Sequence, residues 1–134
     1  MIDANIESML HVKETGKSVE EIEKLFPIVA VKHKFGVLGT HNLRAKMNEK
    51  GVAFERECLI FEVCNPQKAK QVLESDMAIS TALPCRVSVY EEGGRTKIAT
   101  LKPTALIGLF GKPELASVAA EVEASLMRII QELV

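Results

Sequence analysis

The sequence has no tryptophan, a single tyrosine and only 4% aromatic residues. Its interior must therefore be built from aliphatic side chains and methionine, with a few phenylalanines as the large pieces. Cysteine is nearly as scarce: Cys58, Cys64 and Cys85 are odd in number and too sparse for a disulfide scaffold. That pattern points to a reducing cytoplasm, because small secreted domains that rely on disulfides are far richer in cysteine. No apolar run approaches the ~18 residues that a membrane-spanning helix needs, so no membrane role is expected. Met1 to Val12 carries two acids and no basic stretch ahead of its apolar residues, which is not the pattern of a secretory signal.

A surplus of either charge is also missing. Seventeen Lys and Arg stand against eighteen Asp and Glu, and the two signs alternate, as in Lys13-Glu14 and Glu55-Arg56-Glu57. Nucleic-acid binding through the phosphate backbone wants a basic patch or stripe, so no nucleic-acid partner is expected. Catalytic signatures are equally thin. There is no GxSxG elbow, P-loop, dinucleotide fingerprint, HExxH, HxH or CxxC spacing. Gly36-Val37-Leu38-Gly39 lacks the spacing of a phosphate loop. His11, His33 and His41 lie far apart, and a zinc site would need them to converge with Cys or carboxylate. An enzyme is therefore not the favoured reading.

What remains is ordinary globular material: 134 residues, 47% apolar and 26% charged. That length fits one domain over residues 1–134, which buries roughly two-thirds of the surface its unfolded chain exposes. Ile6 to Lys13 alternates, with Ile6, Ser8, Leu10 and Val12 on one side, and predicts a strand with one buried face. Ser18 followed by Glu21 is a capping box. It opens a helix with its stripe at Val19, Ile22, Phe26, Val29 and His33, bent or interrupted at Pro27. Val37 to Thr40 is a short strand. Leu43 to Lys50 is a small helix that closes at Gly51.

Cys58 to Cys64 is the clearest interior strand, with Leu59, Phe61 and Val63 on one face. Pro66 suits the first turn of a helix running to Leu73. Cys85 to Glu91 and Thr96 to Lys102 form a hairpin around Gly93-Gly94. From near Pro113 a terminal helix carries the stripe Leu115, Val118, Ala119, Val122, Leu126, Ile129, Ile130 and Leu133. The order is strand, helix, four strands with small inserted helices, and a helix. This predicts an α+β fold: a mainly antiparallel sheet of about five strands with both long helices on one face. The other face, expected to carry Met9, Ile60 and Tyr90 among charges, suits a dimer interface or a shallow pocket.

One local signature stands out, Cys64-Asn65-Pro66 followed after a helix by Leu83-Pro84-Cys85. With Phe35-Gly36-Val37-Leu38 and the terminal helix, it resembles the bacterial and archaeal family called domain of unknown function 302, from about Leu10 to Leu133. The resemblance implies a TATA-binding-protein-like fold and a homodimer, and it implies no established activity or cofactor. Two departures stand against the family pattern: Arg86 where an Asn is common, and His41-Asn42 in place of an acidic pair.

Cys64 ends one strand and Cys85 begins another, so antiparallel pairing would bring them near each other. A thiolate pair can hold a soft metal or cycle through a disulfide, and the positive end of the helix after Pro66 would lower the Cys64 pKa. The pleat argues otherwise. Cys85 is in register with Val87 and Val89, whereas Cys64 is out of register with Leu59, Phe61 and Val63, so regular strands aim the sulfurs at opposite faces. The bland alternative is two buried structural cysteines beside turn prolines.

The favoured reading is a non-enzymatic dimeric domain that binds a small ligand or metal ion. Its candidate residues are Glu62, Cys64, Asn65, Pro66, Pro84, Cys85 and Arg86, with Cys64 and Cys85 as the metal ligands. The alternative is a thiol-dependent redox enzyme or sensor using Cys64 and Cys85.

Overall fold

In a computed structural model the structure describes residues 4–134, so the Met1–Asp3 part of the leader reading lies outside the described residues. Five strands form one antiparallel sheet: β1 (Leu10–Thr15), β2 (Gly36–Asn42), β3 (Cys58–Cys64), β4 (Cys85–Glu92) and β5 (Arg95–Leu101), in the spatial order β1-β5-β4-β3-β2. The first and last strands in sequence are therefore neighbours. Two long helices, α2 (Val19–Lys32) and α6 (Ala116–Leu133), share one core with the inward residues of β3, β4 and β5.

Local chemistry explains most element boundaries. The Ser18 hydroxyl accepts the Glu21 backbone N–H at 3.1 Å, and the Glu21 carboxylate accepts the Ser18 backbone N–H at 3.3 Å, which completes the capping box. Helix α2 runs on through Pro27 to Lys32. It stops because Lys34 turns to φ +66°, which lets the Phe35 N–H reach the Ala30 carbonyl at 3.0 Å and the Lys34 N–H reach Val31. The β4–β5 hairpin turns on Gly93 and Gly94, both at positive φ, the geometry that matches the twist of the flanking strands.

The alternation of Leu59, Phe61 and Val63 is a buried face, as expected, and all eight residues of the terminal stripe are buried. Phe26, Phe61 and Phe35 are the largest fully covered side chains, so the few aromatics occupy the centre of an otherwise aliphatic core.

The beginning of the chain differs from its sequence reading. Ala4–Met9 is a short helix, α1, and the strand begins only at Leu10. A strand needs a ladder partner. Leu10 to Thr15 pairs with Leu101 to Thr96, and nothing in the sheet continues that ladder back to Ile6. The phase is corrected too. Val12 sits opposite Ala99 on the open sheet face, 41% exposed, while Thr15 is the buried residue of β1.

Two small elements have no counterpart in the sequence reading, a 3-10 helix over Met77–Ala82 and α5 (Pro103–Gly108), and the expected start of the terminal helix is a 3-10 turn at Pro113–Leu115 that leads into α6 at Ala116. With α4 (Pro66–Ser75) and the start of α6 they form a second apolar cluster: Val72, Ile79, Ile107, Leu115, Val118 and Ala119.

Candidate functional site

The two apolar clusters do not fuse completely. At their seam lies a cavity of about 250 Å³. Phe35, Val63, Val122 and Cys85 wall it from the main core, and Val72, Ile107 and Leu83 wall it from the smaller one. A dry cavity of ~150 Å³ accepts benzene, so this one has room for more than a single ring.

Its mouth lies beside the edge strand. The β2–β3 register slips between Val37 and Gly39, which leaves Leu38 without a partner; it lines the cavity while 66% exposed. The polar groups are Asn65, Lys68 and Ser80. The Asn65 carboxamide oxygen accepts the Lys68 N–H at 3.2 Å and so caps α4.

This cavity and the opposite sheet face divide the residues singled out in the sequence. Cys64, Asn65, Pro84 and Cys85 line the cavity. Pro84 and Cys85 also border a groove of about 500 Å³ on the open face, with Arg86, Leu10, Ile60, Tyr90 and Ala99. Pro66 occupies the first turn of α4 and lines neither space. The Leu83–Pro84 peptide bond is cis. On the open face Leu10 and Leu101 join Ile60 and Tyr90, in the place expected for Met9, which falls at the end of α1 ahead of the sheet.

Cys64 and Cys85 take opposite pleat phases, since Cys85 pairs with Val63 and Cys64 with Gly36. Both nevertheless line the same cavity, at the point where β3 gives way to α4. The chemistry of the pair differs from the expected activation. Burial pushes the Cys64 thiol up rather than down. Burial, with the neighbouring Cys64 adding to it, pushes Cys85 up to about 11. Both are protonated thiols at neutral pH, the weak form for attack or metal ligation. All three cysteines are free, and among the described residues no group of three or more His, Cys, Asp or Glu is arranged to hold a metal ion.

Glu62 and Arg86 face each other across β3 and β4, with an Arg86 nitrogen 3.6 Å from Glu62 Oε2. The other oxygen, Oε1, lies 2.6 Å from His41 Nε2. His41 lies in β2, and the two departures from the family pattern act near each other. Arg86 and His41 share one carboxylate, while the Asn42 side chain accepts the Ala45 N–H and caps α3 (Leu43–Glu49). The His41 hydrogen bond holds the Glu62 carboxyl below its ordinary value. His33 is bound to Glu132 at 2.7 Å, and burial, with Lys13 and Lys102 acting the same way, lowers His11. The three histidines do not converge on a common ligand.

Sequence reasoning missed Phe35, Leu38, Val72 and Ile107 as cavity walls. The helical spacing of Ala69, Val72 and Leu73 was the available signal on α4, since those positions share one face.

The architecture and site together define an α+β domain with an antiparallel sheet, helices on one face and an apolar seam cavity. The model of domain of unknown function DUF302 matches residues 11–133, and the chain belongs to that family. It is similar to the crystal structure of an uncharacterized conserved protein DUF302 from Bacillus stearothermophilus, at 32% sequence identity and a TM-score of 0.89. The match covers 94% of this chain and 98% of the other. No curated protein matches the chain. Among the described residues no helix is long and apolar enough to cross a membrane.

Proposed function

We propose that this chain is a non-enzymatic binding domain that holds a small, mainly apolar molecule in the seam cavity between its two cores. The cavity itself carries the reading. Aliphatic side chains and Phe35 wall a space of about 250 Å³, and Asn65 and Lys68 supply polar atoms at one side. Binding sites for small molecules typically combine such walls with a few placed polar groups. Protonated thiols at Cys64 and Cys85 serve here as soft, apolar wall atoms. Neither metal ligation nor thiol catalysis gains support from them. The family resemblance adds a homodimer. The open sheet face, with Ile60, Leu101 and Val12 partly exposed, suits the partner copy, and the free thiols suit a reducing cytoplasm.

The test is titration with 2-naphthol, a neutral fluorescent probe, against the wild type and Ala69→Phe. The large side chain at position 69 projects from α4 into the cavity lining. Saturable 2-naphthol binding that disappears in Ala69→Phe is expected. Absent or non-saturable binding, or binding that survives a folded Ala69→Phe variant, removes the reading.

A further inference from the structure

Adjoining the seam cavity is a second space of about 460 Å³ with an opposite character. The two share Asn65, Lys68 and Val122 as lining residues, so they adjoin where the start of α4 meets α6. The walls of the second space bring together Lys32, His33, Lys34, Lys68 and Arg128 against one carboxylate, Glu121. Glu121 is bound to the Lys68 ammonium. From the side Glu132 reaches His33 at 2.7 Å and Lys32 at 3.7 Å. Lys34 and Arg128 are left over. Among the described residues neither has a carboxylate partner, and Arg128 donates only to the Ser125 hydroxyl at 3.0 Å. Four permanent cations against two carboxylates leave this patch positive, in a chain whose formal net charge is −1.

Resting on the binding-domain reading, we infer that the ligand is an amphipathic anion. Its apolar body fills the seam cavity, and its phosphate or carboxylate head lies in the adjoining cleft against Lys34, Lys68 and Arg128. An apolar site next to an uncompensated cationic one selects for that combination. A neutral ligand leaves the cations unused, and a cationic ligand meets like charge. Lys34 is also held at φ +66°, where a glycine would sit with less strain.

Three probes with one ring system decide the matter: 2-naphthyl phosphate, 2-naphthol and 2-naphthylmethylammonium. At low salt the phosphate is expected to bind at least about tenfold tighter than 2-naphthol, the size of one charge-assisted hydrogen bond. The preference should shrink as salt is raised. The double variant Lys34→Asn with Arg128→Gln should lose the preference and keep 2-naphthol binding; asparagine tolerates the left-handed backbone at position 34. Glu121→Gln, which releases Lys68, should instead tighten 2-naphthyl phosphate.

Equal affinity for phosphate and naphthol, or tighter binding of the ammonium, overturns the charge assignment while the cavity reading stands. Failure of all three probes overturns both. Flotation with phosphatidylcholine vesicles containing phosphatidic acid separates the two sources of such a head group. Co-flotation that the double variant abolishes supports the inference with a lipid as the source. Protein left in the soluble fraction, with 2-naphthyl phosphate binding intact, supports it with a free ligand.

Discussion

Phe26 of α2 lies nearly flat on Phe61 of β3, with ring centroids 4.1 Å apart and planes 7° from parallel. Both rings are fully buried, so this one pair joins the first long helix to β3, an interior strand of the sheet. In a chain so poor in aromatics, the two rings act as the keystone of the main core.

Phe61→Ala is therefore expected to destabilise the fold by about 3–5 kcal/mol, through lost transfer energy and the cavity left behind. A double-mutant cycle with Phe26→Leu and Phe61→Leu should give a coupling of about 0.5–1.5 kcal/mol beyond the two single losses. Urea unfolding of the four proteins reads both quantities. Additive losses would mean that the rings contribute only buried area.

The Glu62 carboxylate makes a pH prediction with a definite sign. The His41 hydrogen bond, together with the charges of His41 and Arg86, holds its pKa below the ordinary 4.5. The unfolded chain then takes up the proton first as pH falls. The stabilisation is present above 4.5 and is lost as pH drops through the lower, folded value. Urea midpoints of wild type and Glu62→Gln should differ at neutral pH and converge in acid. A difference that stays constant across the range would contradict the assignment.

Cys85 should be the slow thiol. With its pKa pushed up to about 11, almost none is thiolate at pH 7. In a variant retaining only Cys85, native-state alkylation by iodoacetamide is expected to lag far behind a free thiol standard and to accelerate steadily with pH. Reaction at neutral pH as fast as the standard would reopen the redox reading. The same measurement on a Cys64-only variant should show a smaller lag, since the Cys64 thiol lies less deeply in the protein than that of Cys85.

Lys34 offers a stabilising change. Its left-handed backbone costs roughly 1–2 kcal/mol for a residue with a Cβ, and part of that gain is returned because glycine loosens the unfolded chain. Lys34→Gly is expected to raise stability by about 0.5–1 kcal/mol in thermal or urea unfolding. A neutral or negative result would mean that the lysine side chain makes a compensating contribution to the fold.

Much of this architecture is written in short-range code. The Ser18–Glu21 box, the paired glycines of the hairpin, the alternation from Cys58 to Cys64 and the stripe from Leu115 to Leu133 each involve residues only a few positions apart. Hydrogen bonding, backbone sterics and periodicity act over that range, so these elements follow from the sequence. The first strand shows the limit. Ile6 to Lys13 alternates as a strand should, but Ala4–Met9 is helical because strand formation depends on a distant partner, β5. The sheet order, the two cores and the cavity between them depend in the same way on which surfaces meet. So does the cleft: Lys34, Lys68 and Arg128 stand on three separate stretches of chain, and no local spacing relates them. Only packing brings those charges to one border, because the free energy that places them comes from burying Val72, Val122 and their neighbours rather than from the charges themselves.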